Sequence, residues 1–285
     1  MGPARVGALA TKFLHTPTIL ALPNPMISRS ALTVCLLGLL ATGSTLAQHN
    51  PPMEGFDAEG SDPEAIAIAD RVMEHLGGRD AWDRTRYLTW SFFGDDQVWD
   101  KWTGRFRWQE GSVVVLMNIN TMDGRAFSSG VEVTDDEALD DLLVKAHRNW
   151  ANSSYWLLMP YKLKDSGVTL RHAGRGTMQD GRAADIITLT FKDVGYTPHN
   201  RYEVRVDTET GLVGEWSYYA DAADEKPRFT VPWLDWRQFG EIMLSDNRGI
   251  RNNGEPFMLP NVAVFDALPD AVFDDPAKID LSEMR

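Results

Sequence analysis

The sequence predicts a mainly β domain with added α-helices: an unclosed antiparallel β-barrel, in effect a curved sheet, with an N-terminal helix and a helical lid. Three observations carry this. From Arg86 onward apolar residues recur with a period of two, punctuated by short Gly- and Asp-containing turns. Two segments, near 63–76 and 135–150, show instead the three-to-four-residue period of amphipathic helices. Ten tryptophans, all beyond residue 80, require a large aromatic core or a cavity lined with rings.

Residues 26–47 (MISRSALTVCLLGLLATGSTLA) have the anatomy of an export signal. Arg29 is the positive flank, Ala31 to Ala41 the apolar run, and Thr45-Leu46-Ala47 the small-residue cleavage site. The run is too short for a bilayer, which needs roughly 20 apolar residues. Residues 1–25 contain four prolines and no acid, so Met26 is a candidate start. The chain is thus expected to be exported, periplasmic and soluble after cleavage near Ala47, without stable membrane insertion. Its single cysteine, Cys35, lies in the removed segment, leaving no thiol and no disulfide beyond it. Removal of Arg5, Lys12 and Arg29 leaves 25 Lys and Arg against 41 Asp and Glu, a net charge of about −16. Such a chain repels phosphate backbones, which excludes nucleic acid as a partner.

Residues 48–61 read as a flexible leader. Ser61 then caps a helix, with Glu64 as its capping-box partner and Pro63 in the first turn. Ile66, Ala69, Val72, Met73 and Leu76 form its apolar stripe, and Gly77-Gly78 ends it. Leu88, Trp90 and Phe92 alternate with Thr89 and Ser91 in a first strand. Val98, Trp102, Phe106 and Trp108 are expected on one face of a second, with Lys101, Thr103, Arg105 and Arg107 opposite. Segments 112–120 and 125–134 complete a four-strand meander. A second helix starts at Thr134, with Glu137 three residues on, and its apolar face runs from Leu139 to Trp150. Residues 149–160 read as irregular and aromatic. Strands resume over 168–172, 185–192, 201–207, 212–219, 228–237 and 242–251. Residues 62–253 form the domain, and 254–285 a tail packed on it.

Motifs for catalysis are missing. There is no phosphate loop, nucleophile elbow, zinc-binding His-Glu-x-x-His or paired cysteine, hence no cofactor or metal expectation. Asp165, His172 and His199 would have to converge at the barrel mouth for a hydrolase-type or other enzyme. The aromatic set is the stronger candidate. Spacing alone favours a solid core under two helices, because apolar faces usually pack without voids. The alternative is a cavity that the helices only partly fill.

Three stretches carry a resemblance: Gly77-Gly78 with Trp82, then Pro160-Tyr161-Lys162-Leu163-Lys164-Asp165-Ser166-Gly167-Val168, and Phe191-Lys192-Asp193-Val194-Gly195-Tyr196-Thr197-Pro198. With the pair Tyr202–Asp207 and Thr210-Gly211 to Trp216, they resemble the LolA/LolB-like superfamily of periplasmic lipoprotein carriers, over roughly residues 62–250. The resemblance implies a half-barrel with a helical lid over an apolar cavity that holds acyl chains. The chain lacks the lipobox of the membrane-anchored branch. The expected function is non-catalytic binding of a hydrophobic or lipid-like small molecule, or of a lipidated protein. The expected ligand-binding residues are Trp90, Trp102, Phe106, Trp108, Trp150, Trp156 and Trp216, under a lid of residues 135–160. A cell-envelope interaction module with a solid core, using Trp99 on a polar strand face, is the remaining alternative.

Overall fold

A computed structural model describes residues 50–192 and 194–284. The export signal lies outside the described residues. In chain order the elements are α1 (Pro63–His75), α2 (Arg79–Arg84), β1 (Tyr87–Phe92), β2 (Asp95–Asp100), β3 (Arg105–Glu110), β4 (Val113–Asn118), β5 (Gly124–Ser128) and β6 (Val131–Glu132). The long helix α3 (Asp136–Leu158) follows, then β7 (Val168–Thr177), β8 (Ala183–Phe191), β9 (Arg201–Asp207), β10 (Val213–Tyr219) and β11 (Phe229–Pro232). Last come β12 (Arg237–Phe239), β13 (Ile242–Leu244), β14 (Asn247–Ile250), β15 (Pro256–Met258), β16 (Ala263–Phe265) and α4 (Ala271–Asp274).

Two antiparallel sheets result, neither closed. One has the order β16-β1-β2-β3-β4-β5-β6 and the other β11-β10-β9-β8-β7; β12–β13 and β14–β15 are separate hairpins. Mainly β structure in unclosed antiparallel sheets with helices is the expected fold class. A single core joins both sheets to the helices. Leu88, Trp90, Phe106 and Trp108 come from the first sheet, and Leu170, Ile187, Val204 and Trp216 from the second. Ile68 and Val72 of α1 and Leu143 and Leu157 of α3 complete it.

The start of α1 differs from the capping box expected at Ser61 and Glu64. Asp62 is the cap residue, but no side chain caps the helix. Ser61 Oγ and the Asp62 carboxylate instead accept the backbone N–H groups of Leu170 and His172, tying the helix to β7. At the other end Gly77 has φ +111°, and a Cβ there would lie 2.5 Å from the Glu241 carbonyl, so only glycine fits. The Tyr161 hydroxyl meets the carbonyls of Leu76 and Met243, and its ring stacks on Trp82 at 4.4 Å. Two of the resemblance motifs therefore close one end of α1. Residues 50–61, read as a flexible leader, form backbone hydrogen bonds from Met53 to Lys164 and from Asp57 to Val168.

The expected second strand is two strands. Lys101 to Gly104 turn the chain between β2 and β3, so the alternation changes phase. Register pairs Trp99 with Phe106 and Val98 with Arg107. Trp99 consequently faces the core, buried, rather than a polar exposed face, and Val98 packs on the other face with Tyr87 and Phe273. That other face is covered by the chain end. Arg107, buried, donates to the carbonyls of Val272, Asp275 and Ala277, and β16 adds an edge strand beside β1.

The second helix is also longer than expected. Asp135, not Thr134, caps it, accepting the Ala138 N–H at 3.0 Å. The stretch 149–158 continues the helix instead of unwinding, and Met159–Lys162 adds a 3-10 turn. Its anchorage on the first sheet is polar: Trp90 Nε1 donates to Ser153 Oγ at 3.0 Å, and that hydroxyl reaches Gln97 Oε1 at 2.8 Å.

Candidate ligand-binding cleft

The continuation of α3 creates the site. Arg148, Ala151, Asn152 and Tyr155 recur at three- and four-residue steps, so they share one face of the helix. That face is turned toward the second sheet, which supplies one residue from each of four adjacent strands: Val168, Phe191, Tyr202 and Trp216. The turn carrying Lys162 and Asp165 and the loop Val194–Thr197 contribute the remaining walls. Between them lies a cleft of about 580 Å³. That is within the range of small-molecule sites, roughly 300–1,000 Å³.

The floor is aromatic. Tyr202 stacks on Trp216 with ring centroids 4.9 Å apart and 7° between planes. Tyr155 leans on both, at 5.3 and 5.9 Å, and Phe191 meets Tyr202 edge-on at 5.6 Å. Stacked and edge-on contacts of this kind hold rings in place, so the floor is preformed. Burial pushes the Tyr202 phenol up to about 12. It pushes that of Tyr155 far above the usual tyrosine value, with Tyr202 and Asp165 adding to the effect. The mouth is polar. Lys162 pairs with Asp165 at 2.8 Å, Arg148 lies 5.0 Å over the Tyr196 ring, and His147 Nδ1 is 2.5 Å from Tyr196 Oη.

Of the seven aromatic residues expected to bind ligand, Trp216 alone lines the cleft. Trp90, Phe106 and Trp108 are fully buried in the shared core, with Trp108 Nε1 donating to Asp95. Trp150 packs edge-on to Trp99, and Trp156 packs between Trp216 and Phe257. Trp102 stands outside, 57% exposed in the β2–β3 turn, donating to the Asp83 carbonyl. Phe191 and Tyr202 are absent from the aromatic set that the sequence offers, and Tyr155 stands in that set with Trp150 and Trp156 but not among the expected ligand-binding residues. A helix period carried through residue 155 would have aligned Tyr155 with Arg148, and Tyr202 lies on the apolar side of the most regular strand alternation in the chain.

Asp165, His172 and His199 do not gather here. Asp165 lines the cleft but neither His172 nor His199 does. His172 Nδ1 faces Glu64 at 3.0 Å, beside α1. Among the described residues no group of three His, Cys, Asp or Glu side chains could hold a metal ion. No described helix is long and apolar enough to cross a membrane.

No protein-family model matches the chain, and the curated proteins contain no sequence match. Similarity is found to solved structures. A DUF1329 family protein from Desulfovibrio piger is 13% identical, with 75% of this chain and 98% of that chain covered, at a TM-score of 0.39. MucB in complex with MucA(peri) is 13% identical over 73% of this chain and 58% of that one, at 0.20. MucB alone is 14% identical over 67% and 69%, at 0.23. Superpositions this loose carry no functional assignment.

Proposed function

We propose that this is a non-catalytic binding protein, acting in the periplasm, that holds a hydrophobic or lipidated ligand in the cleft between α3 and the second sheet. The observation that carries the reading is the ring floor of Tyr155, Tyr202 and Trp216 beneath an open cleft with a polar mouth. An apolar floor with few polar groups at the rim suits an amphiphile. Its chain is buried at about 0.8 kcal/mol per methylene while its head stays in water. The lid expected over residues 135–160 corresponds to α3, which forms one wall. The resemblance to lipoprotein carriers supports the same class of ligand, either a free lipid or the acyl chains of a lipidated protein. Trp90, Phe106 and Trp108 belong in this reading to the support of the cleft, and Trp102 has no part in it.

The test is direct. Protein purified from its exporting cell is extracted with organic solvent for mass spectrometry, then delipidated and titrated with a fluorescent fatty acid. Bound lipid and saturable quenching of tryptophan fluorescence, with Trp216 nearest the ligand, are expected. Neither bound lipid nor saturable quenching would sink the proposal.

A further inference from the structure

We infer that the ligand presents an uncharged hydrogen-bond acceptor, of ester, amide or ketone type, to Tyr155 Oη and Trp216 Nε1. The inference rests on the cleft being the binding site. Both atoms are buried, both lack a hydrogen-bond partner, and both belong to residues that line the cleft. The rings that carry them lie 5.9 Å apart. An unpaired indole N–H alone would say little, because Trp99, Trp150 and Trp233 also have one. Tyr155 is different: among the described residues it is the only tyrosine with a buried hydroxyl and no partner. Buried donors are almost always satisfied, and two that share one cleft mark where an acceptor belongs.

The chemistry of the floor sets the charge of that acceptor. The two cations that line the cleft are engaged elsewhere, Arg148 over the Tyr196 ring and Lys162 with Asp165. The surroundings that push the Tyr155 phenol upward, burial first and then Asp165, penalise a carboxylate in the same place. A neutral carbonyl oxygen accepts from both donors without that penalty, whereas a plain hydrocarbon leaves them unpaired.

Delipidated protein loaded with the neutral probe diphenylhexatriene, and displaced by methyl decanoate, undecane or decanoate, tests this. Tyr155→Phe is expected to bind methyl decanoate about tenfold more weakly, relative to undecane of similar length, than the unaltered protein does, the share of one satisfied buried hydrogen bond. Decanoate is expected to bind more weakly than the ester. Undecane is expected to bind Tyr155→Phe as before. Trp216→Phe, with circular dichroism to check its fold, serves as the second variant and is expected to lower the ester-to-alkane affinity ratio too. Tightest binding by decanoate, or an ester-to-alkane affinity ratio unchanged in both variants, overturns the inference and leaves the cleft as a hydrocarbon site. Absence of saturable binding by the probe and all three compounds overturns the proposed function with it.

Discussion

Ser153 is the point at which α3 is fastened to the first sheet, and replacing it tests how the cleft is held open. Its hydroxyl accepts from Trp90 Nε1 and reaches Gln97 Oε1 and the Asn149 carbonyl, at 3.0, 2.8 and 2.7 Å. Trp90, Gln97 and Ser153 are all completely buried. In Ser153→Ala the Asn149 carbonyl is still served by the helix, but Trp90 Nε1 and Gln97 Oε1 are stranded. Each stranded group costs about 1–3 kcal/mol, and Gln97 Oε1 shares the one hydroxyl proton with the Asn149 carbonyl, so the variant is expected to lose about 2–4 kcal/mol. For a domain of this size that lowers the melting temperature by roughly 5–15 °C. Urea unfolding followed by tryptophan fluorescence measures the loss, with the slope against urea unchanged if the compactness of both states is kept. A companion variant fixes the sign. Gln97→Leu combined with Ser153→Ala removes one stranded acceptor and also the amide nitrogen of Gln97, already unpaired in the native protein. The double variant should therefore be more stable than Ser153→Ala alone. A loss below about 1 kcal/mol in the single variant, or a further loss in the double, would refute the polar anchor.

Three other outcomes are expected. Ala151→Trp, which fills the cleft from α3, should weaken ligand binding more than tenfold while stability stays within about 0.5 kcal/mol, read by titration and thermal melting. Burial lowers the Lys101 ammonium to about 8 although its nitrogen lies 4.6 Å over the Trp82 ring. Amine acylation followed by peptide mapping should show it reacting with a midpoint near 8, and a midpoint near 10.5 would mean that the ring holds the charge. Burial also lowers the His147 imidazole below its ordinary 6.5. Its stabilising contribution is then complete above 6.5 and lost as the pH falls through the folded value. An NMR titration of the ring should show a midpoint below 6.5, and a midpoint at or above 6.5 would refute the effect of burial.

Fold class was legible because it depends on periodicity, which the sequence carries residue by residue. The alternation of Tyr202, Val204 and Val206 reappears as buried or half-buried positions of β9, and the Gly77-Gly78 stop is where the left-handed backbone occurs. Phase was harder to see than period. Lys101-Trp102-Thr103-Gly104 contains one glycine and no proline, so the turn between β2 and β3 is weakly marked. Reading through it placed Trp102 beside Phe106 when it stands in solvent. The same slip assigned Trp99 to the surface. A one-residue change of register moves every following side chain to the opposite face of a sheet.

The cleft was hidden for a different reason. Residues 149–158 contain two asparagines, two serines, two tryptophans and a tyrosine, a composition of low helix propensity. Propensity is overridden there by tertiary contacts: Ser153 is held by Trp90 and Gln97, and the carbonyl of Trp156 accepts from the buried Arg248 guanidinium, 92 residues further on. Neither contact is local, so no window along the chain reveals that the helix continues. That continuation carries Tyr155 over Tyr202 and Trp216, and without it Trp216 is only another core ring. The density of tryptophan pointed to the region of the core, but a large aromatic count fills space as readily as it frames it. What separates the two is the position of one helix, and the helix is placed by polar groups that the hydrophobic pattern does not record.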